Sequence, residues 1–222
     1  MSVSTKDEPE YYDPEPRWPA FVAVAAIGGL YTALPSNLII GPRWLFFVLV
    51  FFTLIPTAVS HYKHYHEMNR VLGFLVTAVV TLGMIASVAL LIMGLPKHLE
   101  TPPQLLGSAA CLWATNILVF ALWYWRLDAG GPHSRDHRRE HTDGAFLFPQ
   151  MTLTREVARE TREEYWSPNF FDYLFLAFNT STAFSPTDTP VLARWGKVLM
   201  MIQSVISLTV LALLAARAVN IL

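Results

Sequence analysis

Five stretches of this chain contain no Asp, Glu, Lys or Arg, and each is at least 19 residues long. They lie between Arg17 and Arg43, Arg43 and Lys63, Arg70 and Lys97, Glu100 and Arg126, and Lys197 and Arg217. About 20 predominantly apolar residues in a helix cross roughly 30 Å of hydrocarbon. A soluble core can hide one such stretch. Five of them in 222 residues would leave a soluble protein without a polar surface. Composition agrees: only 15% of residues are charged, against about a quarter in soluble domains. The chain therefore predicts an all-α integral membrane protein, a bundle of five full transmembrane helices plus one short segment that is either a sixth span or re-entrant.

The expected spans are 18–34, ending at Pro35; 44–60, carrying Pro56; 71–95; 105–125; and 198–219. Trp18, Trp44 and the run Trp123, Tyr124, Trp125 sit where interfacial aromatic belts form. Residues 1–16 are polar, proline-containing and net acidic. They read as a disordered cytoplasmic tail, unlike a secretory leader, which opens with positive charge and an apolar run. Four spans then fill 17–126. A polar cytoplasmic loop follows over 127–168, with a surface-lying helix expected over 152–166 from its alternating charges. Residues 169–222 carry the short segment and the last span.

Orientation follows from Lys and Arg in the loops. The amino-terminal tail, the second loop and the long loop together hold eleven, and the alternate loops hold two, Arg43 and Lys97. The amino terminus and the long loop are therefore expected in the cytoplasm of a bacterial inner-membrane protein. The carboxy terminus joins them if the short segment crosses completely.

That segment is the odd one. Only 15 uncharged residues separate Asp172 from Asp188, about 22 Å of helix, less than the hydrocarbon thickness. Phe171, Leu174, Phe175 and Phe178 form an apolar face at i, i+3, i+4, i+7. Thr180, Thr182, Ser185, Thr187 and Asp188 then concentrate hydroxyls and one carboxylate. Polar backbone at membrane depth persists only beside protein or water, so these five are candidate pore-lining residues. Gln203 and Ser207, at i, i+4 on the next helix, are further candidates that would line water or join helices. Asp172 is a candidate intramembrane acid, or an interfacial carboxylate at a helix start.

The run Phe171-Asp172-Tyr173-Leu174-Phe175-Leu176-Ala177-Phe178-Asn179-Thr180-Ser181-Thr182, followed by 183–188, resembles the pore helix and filter of two-span potassium channels. Thr182 falls on the first filter threonine and Asp188 on the filter aspartate. Pro190, Gly196 and Lys197 resemble the opening of the channel inner helix. Ser185, Pro186 and Thr187 stand where the filter has Gly-Tyr-Gly, and glycines there permit the backbone that aims carbonyls at the ion. The resemblance implies a pore-loop fold and ion passage without potassium selectivity. Potassium-channel loops open from outside, whereas the charge count puts this one inside; hydropathy favours a thin sixth span over a cytoplasmic re-entrant loop.

The whole chain is also similar to an uncharacterised family of bacterial polytopic inner-membrane proteins, through Trp123-Tyr124-Trp125-Arg126-Leu127-Asp128, Gly130-Gly131-Pro132, Phe146-Leu147-Phe148-Pro149-Gln150-Met151, residues 182–188, and Arg217-Ala218-Val219-Asn220-Ile221-Leu222. That resemblance implies the fold and location only.

Other classes have less behind them. His61, His64 and His66 lie at the end of the second span, but no ligands on other spans complete a metal or haem site. His133, His137 and His141 recur every four residues, yet Gly130, Gly131, Pro132 and Gly144 argue for a loop, and neighbouring arginines oppose a cation. Cys111 is alone, so no internal disulfide forms. No phosphate loop, nucleophile elbow, H-E-x-x-H or C-x-x-C is present, and no basic patch suits nucleic acid. The expectation is a non-enzymatic, channel-like transport protein without cofactor or metal, partnered by the lipid bilayer, by copies of itself and by a permeant ion. The alternative is a non-conducting structural or sensor protein.

Overall fold

The computed structural model describes residues 15–44, 48, 66–94, 101–136, 144–161, 163, 166–182 and 189–219. Its elements are α1 (Trp18–Ala33), α2 (His66–Gly94), α3 (Pro102–Leu127), α4 (Pro132–Asp136), α5 (Arg155–Glu160), α6 (Phe170–Thr182) and α7 (Arg194–Val219). Short 3-10 turns lie at 36–38, 128–130 and 149–152. Among the described residues there is no β-strand beyond one antiparallel bridge, Phe146 to Val191. Three segments are long and apolar enough to cross a membrane: Arg70–Gly94, Pro102–Gly130 and Arg194–Ala215. The expected second span, 44–60, lies outside the described residues apart from its first residue and Val48.

Local chemistry sets the helix ends. Pro19 opens α1, where its missing N–H costs nothing, and α1 stops at extended Leu34 before Pro35. Thr101 precedes α3, and Gln104 Oε1 accepts the Thr101 N–H at 3.0 Å, with Pro102 in the first turn. Beyond α3 the chain reverses through Ala129, Gly130 and Gly131, all with positive φ. At Gly131 a Cβ would stand 2.9 Å from the Arg126 carbonyl oxygen, so only glycine fits this close turn.

α3 is the axis of the bundle. It packs against α1, α2, α6 and α7, and 61% of its spanning window is buried, against 39% for α2 and 17% for α7. Val119, Ala121, Leu122 and Tyr124 are inaccessible. The outer faces carry exposed Leu75, Leu82, Ile85, Met201, Val205 and Leu208, the surface of a protein solvated by hydrocarbon rather than water.

Directions can be read from the cross-helix contacts. Arg126 near the end of α3 meets Gly73 near the start of α2; Trp125 meets Phe170 at the start of α6 edge to face; Trp18 of α1 meets Phe171 in the same way. Gln203 of α7 bonds Ala177 and Ser181, and Ser207 bonds Ser181. α6 and α7 are therefore parallel, and both are antiparallel to α3. The chain is back at its starting face before α7: Leu147 N–H donates to Pro190 O at 2.9 Å and Leu192 N–H to Ala145 O at 2.7 Å. α6 and α7 therefore start from one end of the bundle. α7 then ends opposite the start of α1.

Candidate functional site

The polar end of α6 is held in a buried lock. Tyr124 of α3 donates its hydroxyl to Gln203 Oε1. Gln203 Nε2 donates to Ala177 O at 2.7 Å and to Ser181 Oγ at 2.8 Å. Asn116 Nδ2 donates to Gln203 O at 3.2 Å and reaches Ser181 Oγ at 3.4 Å. Ser207 donates to Ser181 O, and Ser204 to Thr180 O at 3.3 Å. Asn116, Ser181, Gln203 and Ser207 are all at 0% exposure. Two of the free carbonyls at the end of α6 are thus satisfied by a neighbouring helix, as burial in a low-dielectric interior demands.

The candidate pore residues separate into three groups. Gln203 and Ser207 do share a face, and that face joins helices. Thr180 and Thr182 donate to carbonyls of their own helix, Leu176 O at 2.8 Å and Asn179 O at 2.9 Å, Thr180 being buried and Thr182 half-buried. Ser185, Thr187 and Asp188 lie outside the described residues. Asp172 sits in the first turn of α6, where Oδ2 accepts the Asn169 N–H at 2.8 Å while Asn169 Oδ1 accepts the Phe171 N–H at 2.8 Å. That reciprocal pair is a capping box, and the carboxylate meets the positive end of the helix dipole.

A second polar cluster anchors the start of α6. Arg135 of α4, only 2% exposed, donates to Trp125 O at 2.9 Å, Asp128 O at 3.0 Å and Glu15 Oε2 at 2.9 Å. Its guanidinium lies 5.0 Å from the Tyr173 ring centre. Asp128, fully buried, accepts the Tyr173 hydroxyl at 2.6 Å and the Ala145 N–H. Arg17 pairs with Asp136, and Trp125 Nε1 donates to Glu15. Burial pulls the Arg17 guanidinium below its usual pKa, opposed by Asp136 and Glu15. Phe146 fills the space between Tyr124, Tyr173 and Trp195. One hydrogen-bonded corner thus ties the segment before α1, the end of α3 and the start of α6.

No family model, curated protein or solved structure matches this chain.

Sequence reasoning does not single out Asn116, Ser181 or Arg135. Asn116 carried a usable signal, since an amide inside an uncharged span requires a partner. Arg135 carried none, because an arginine in a polar loop is ordinarily solvated. Of the histidines, His133 lies in α4, while 61, 64, 137 and 141 fall outside the described residues. No group of three or more potential metal ligands occurs among the described residues.

Proposed function

We infer that the chain is a channel-like membrane transport protein of the pore-loop kind, with five full spans and α6 as a re-entrant helix. In this reading α6 enters the bilayer from the cytoplasmic face, stops near its middle and returns before α7 crosses. The carrying observation is the parallel course of α6 and α7, with the polar end of α6 at mid-depth. Ser181 meets Asn116, eleven residues from the end of α3. At 1.5 Å per residue that is about 16 Å, half of the hydrocarbon thickness.

The charge distribution supports the same topology. If α6 re-enters, Arg194 and Lys197 join the cytoplasmic face, which then holds thirteen of the 16 basic residues. Five crossings starting inside leave the carboxy terminus outside. The interior of one chain is closed by the Gln203 lock, so the ion path runs between copies, past Thr182, and the assembly is a homo-oligomer.

Purified protein in liposomes is expected to pass ions above the leak of protein-free vesicles, with Thr182→Val changing the flux. Folded protein that never exceeds that leak overturns the reading. A second reading, a non-conducting structural or sensor protein, draws on the internal bonding of Thr180 and Thr182, whose hydroxyls are both spent on their own helix.

A further inference from the structure

Arg126 ends α3 on the basic face, within the aromatic belt of Trp123 and Trp125. Its guanidinium lies across Gly73 of α2, where a Cβ would stand 1.9 Å from Nη1 and 2.6 Å from Cζ. The missing side chain of Gly73 is the slot that admits it. Arg126 Cζ also sits 5.3 Å from the Trp125 ring centre, and Arg17 Cζ is 5.8 Å from the same ring. Two guanidinium groups thus share one indole.

Arg126 differs from the other buried arginines of the corner. All three have a buried guanidinium nitrogen without a hydrogen-bond partner, Nε in Arg126 and Arg135 and Nη1 in Arg17, but among the described residues no Asp or Glu pairs with Arg126. The nearby acids are engaged elsewhere: Glu15 with Arg17 and Arg135, Asp136 with Arg17, and Asp128 with Tyr173 and the Ala145 N–H. A buried guanidinium nitrogen without an acceptor is costly, and an anion beside the group offsets that cost. The side chain is not sealed off, being partly exposed. Arg70, one turn before Gly73 on the same face of α2, is exposed.

We propose that Arg126, seated over Gly73 with Arg70 nearby, binds the phosphate group of a membrane phospholipid. The planar fork of an arginine matches two phosphate oxygens at once. An aromatic belt marks the depth of the headgroups, and a basic pocket between helices on the cytoplasmic side is where anionic headgroups are held. Free phosphate offers the same oxygens, so the test separates the two sources.

Full-length protein in detergent would be titrated with phosphatidylglycerol and bound lipid counted by native mass spectrometry. Wild type is expected to retain lipid, and Arg126→Gln to weaken retention on the order of tenfold, the usual scale for losing a charge-assisted contact. Gly73→Ala closes the slot and displaces only the tip of a flexible side chain, so it should weaken retention equally while circular dichroism and elution volume stay unchanged. Arg155→Gln, an exposed position on α5, should leave retention as in wild type. In a second arm, inorganic phosphate replaces the lipid: Arg126-dependent binding of phosphate without lipid retention assigns the site to the free ion. If folded Arg126→Gln and Gly73→Ala bind lipid and phosphate as wild type does, the proposal fails.

Discussion

Gln203 shows what one side chain does inside this membrane bundle. Its amide bonds Tyr124, Ala177 and Ser181 at once, joining three helices in a region with no water to replace it. Gln203→Leu keeps the volume but leaves the Tyr124 hydroxyl without its acceptor and takes a donor from Ala177 O and Ser181 Oγ. It should destabilise the fold by about 1–3 kcal/mol, whereas Ser207→Ala, with one bond lost, should cost about 0.6 kcal/mol. Reversible unfolding in mixed micelles would measure both; equal effects would contradict the assignment of Gln203 as the hub. Arg135 makes the sharper case. Arg135→Ala removes the bonds to the Trp125 and Asp128 carbonyls, leaves Glu15 to Arg17 and the Trp125 indole alone, and should cost about 3 kcal/mol or more. Tyr173→Phe removes one hydroxyl bond to Asp128 and should cost about 1 kcal/mol. A tolerated Arg135→Ala would mean that the corner is solvated.

Among the elements, α6 is arranged inside-out relative to a soluble helix. Phe171, Phe175 and Phe178 are 44–63% exposed, while Tyr173, Thr180 and Ser181 are buried. The apolar stripe read from the sequence is real, but it faces outward, because hydrocarbon accepts phenyl rings and rejects hydroxyls. Trp113 and Trp18 flank the stripe, meeting Phe178 and Phe171 edge to face. The parallel course of α6 and α7 makes a topological prediction. In a Cys111→Ala background, Thr154→Cys and Leu192→Cys should react with a membrane-impermeant thiol reagent from the same side, and Ile40→Cys from the other. Labelling of 154 and 192 from opposite sides would show that α6 crosses. All three labelled positions are exposed, so the labels should not disturb packing.

Taken as a whole molecule, the bundle spends its polar groups on internal joints and shows apolar faces outside. α7 is the extreme case: Val198, Met201, Ile202, Val205 and Leu208 are each at least 45% exposed. A channel made from one re-entrant helix per chain needs symmetry copies to close a ring. Light scattering of the detergent-solubilised protein should therefore give a multiple of 25.0 kDa, and Val205→Asn on the outer face of α7 should shift that mass if the face lies between copies. A stable monomer under mild detergent would remove the between-copies path and favour the non-conducting reading.

The spacing of charges alone determined that this is a helical membrane protein. It also located α1, α2, α3 and α7 to within a few residues, because an uncharged run of that length has only one low-energy solvent. The short, polar character of the stretch after Asp172 was equally legible. What the sequence left open was direction: a 15-residue run is compatible with a thin crossing or a return, and hydropathy scores length without partners. Only the tertiary structure set α6 and α7 on a parallel course, by placing Ser181 against Asn116 and Gln203 while Val191 lies back beside Phe146. The corner around Arg135 was hidden for a related reason. Whether a loop arginine is solvated or buried depends on which carboxylates and carbonyls the fold gathers around it, and those come from residues 15, 125 and 128, up to 120 positions away in the chain.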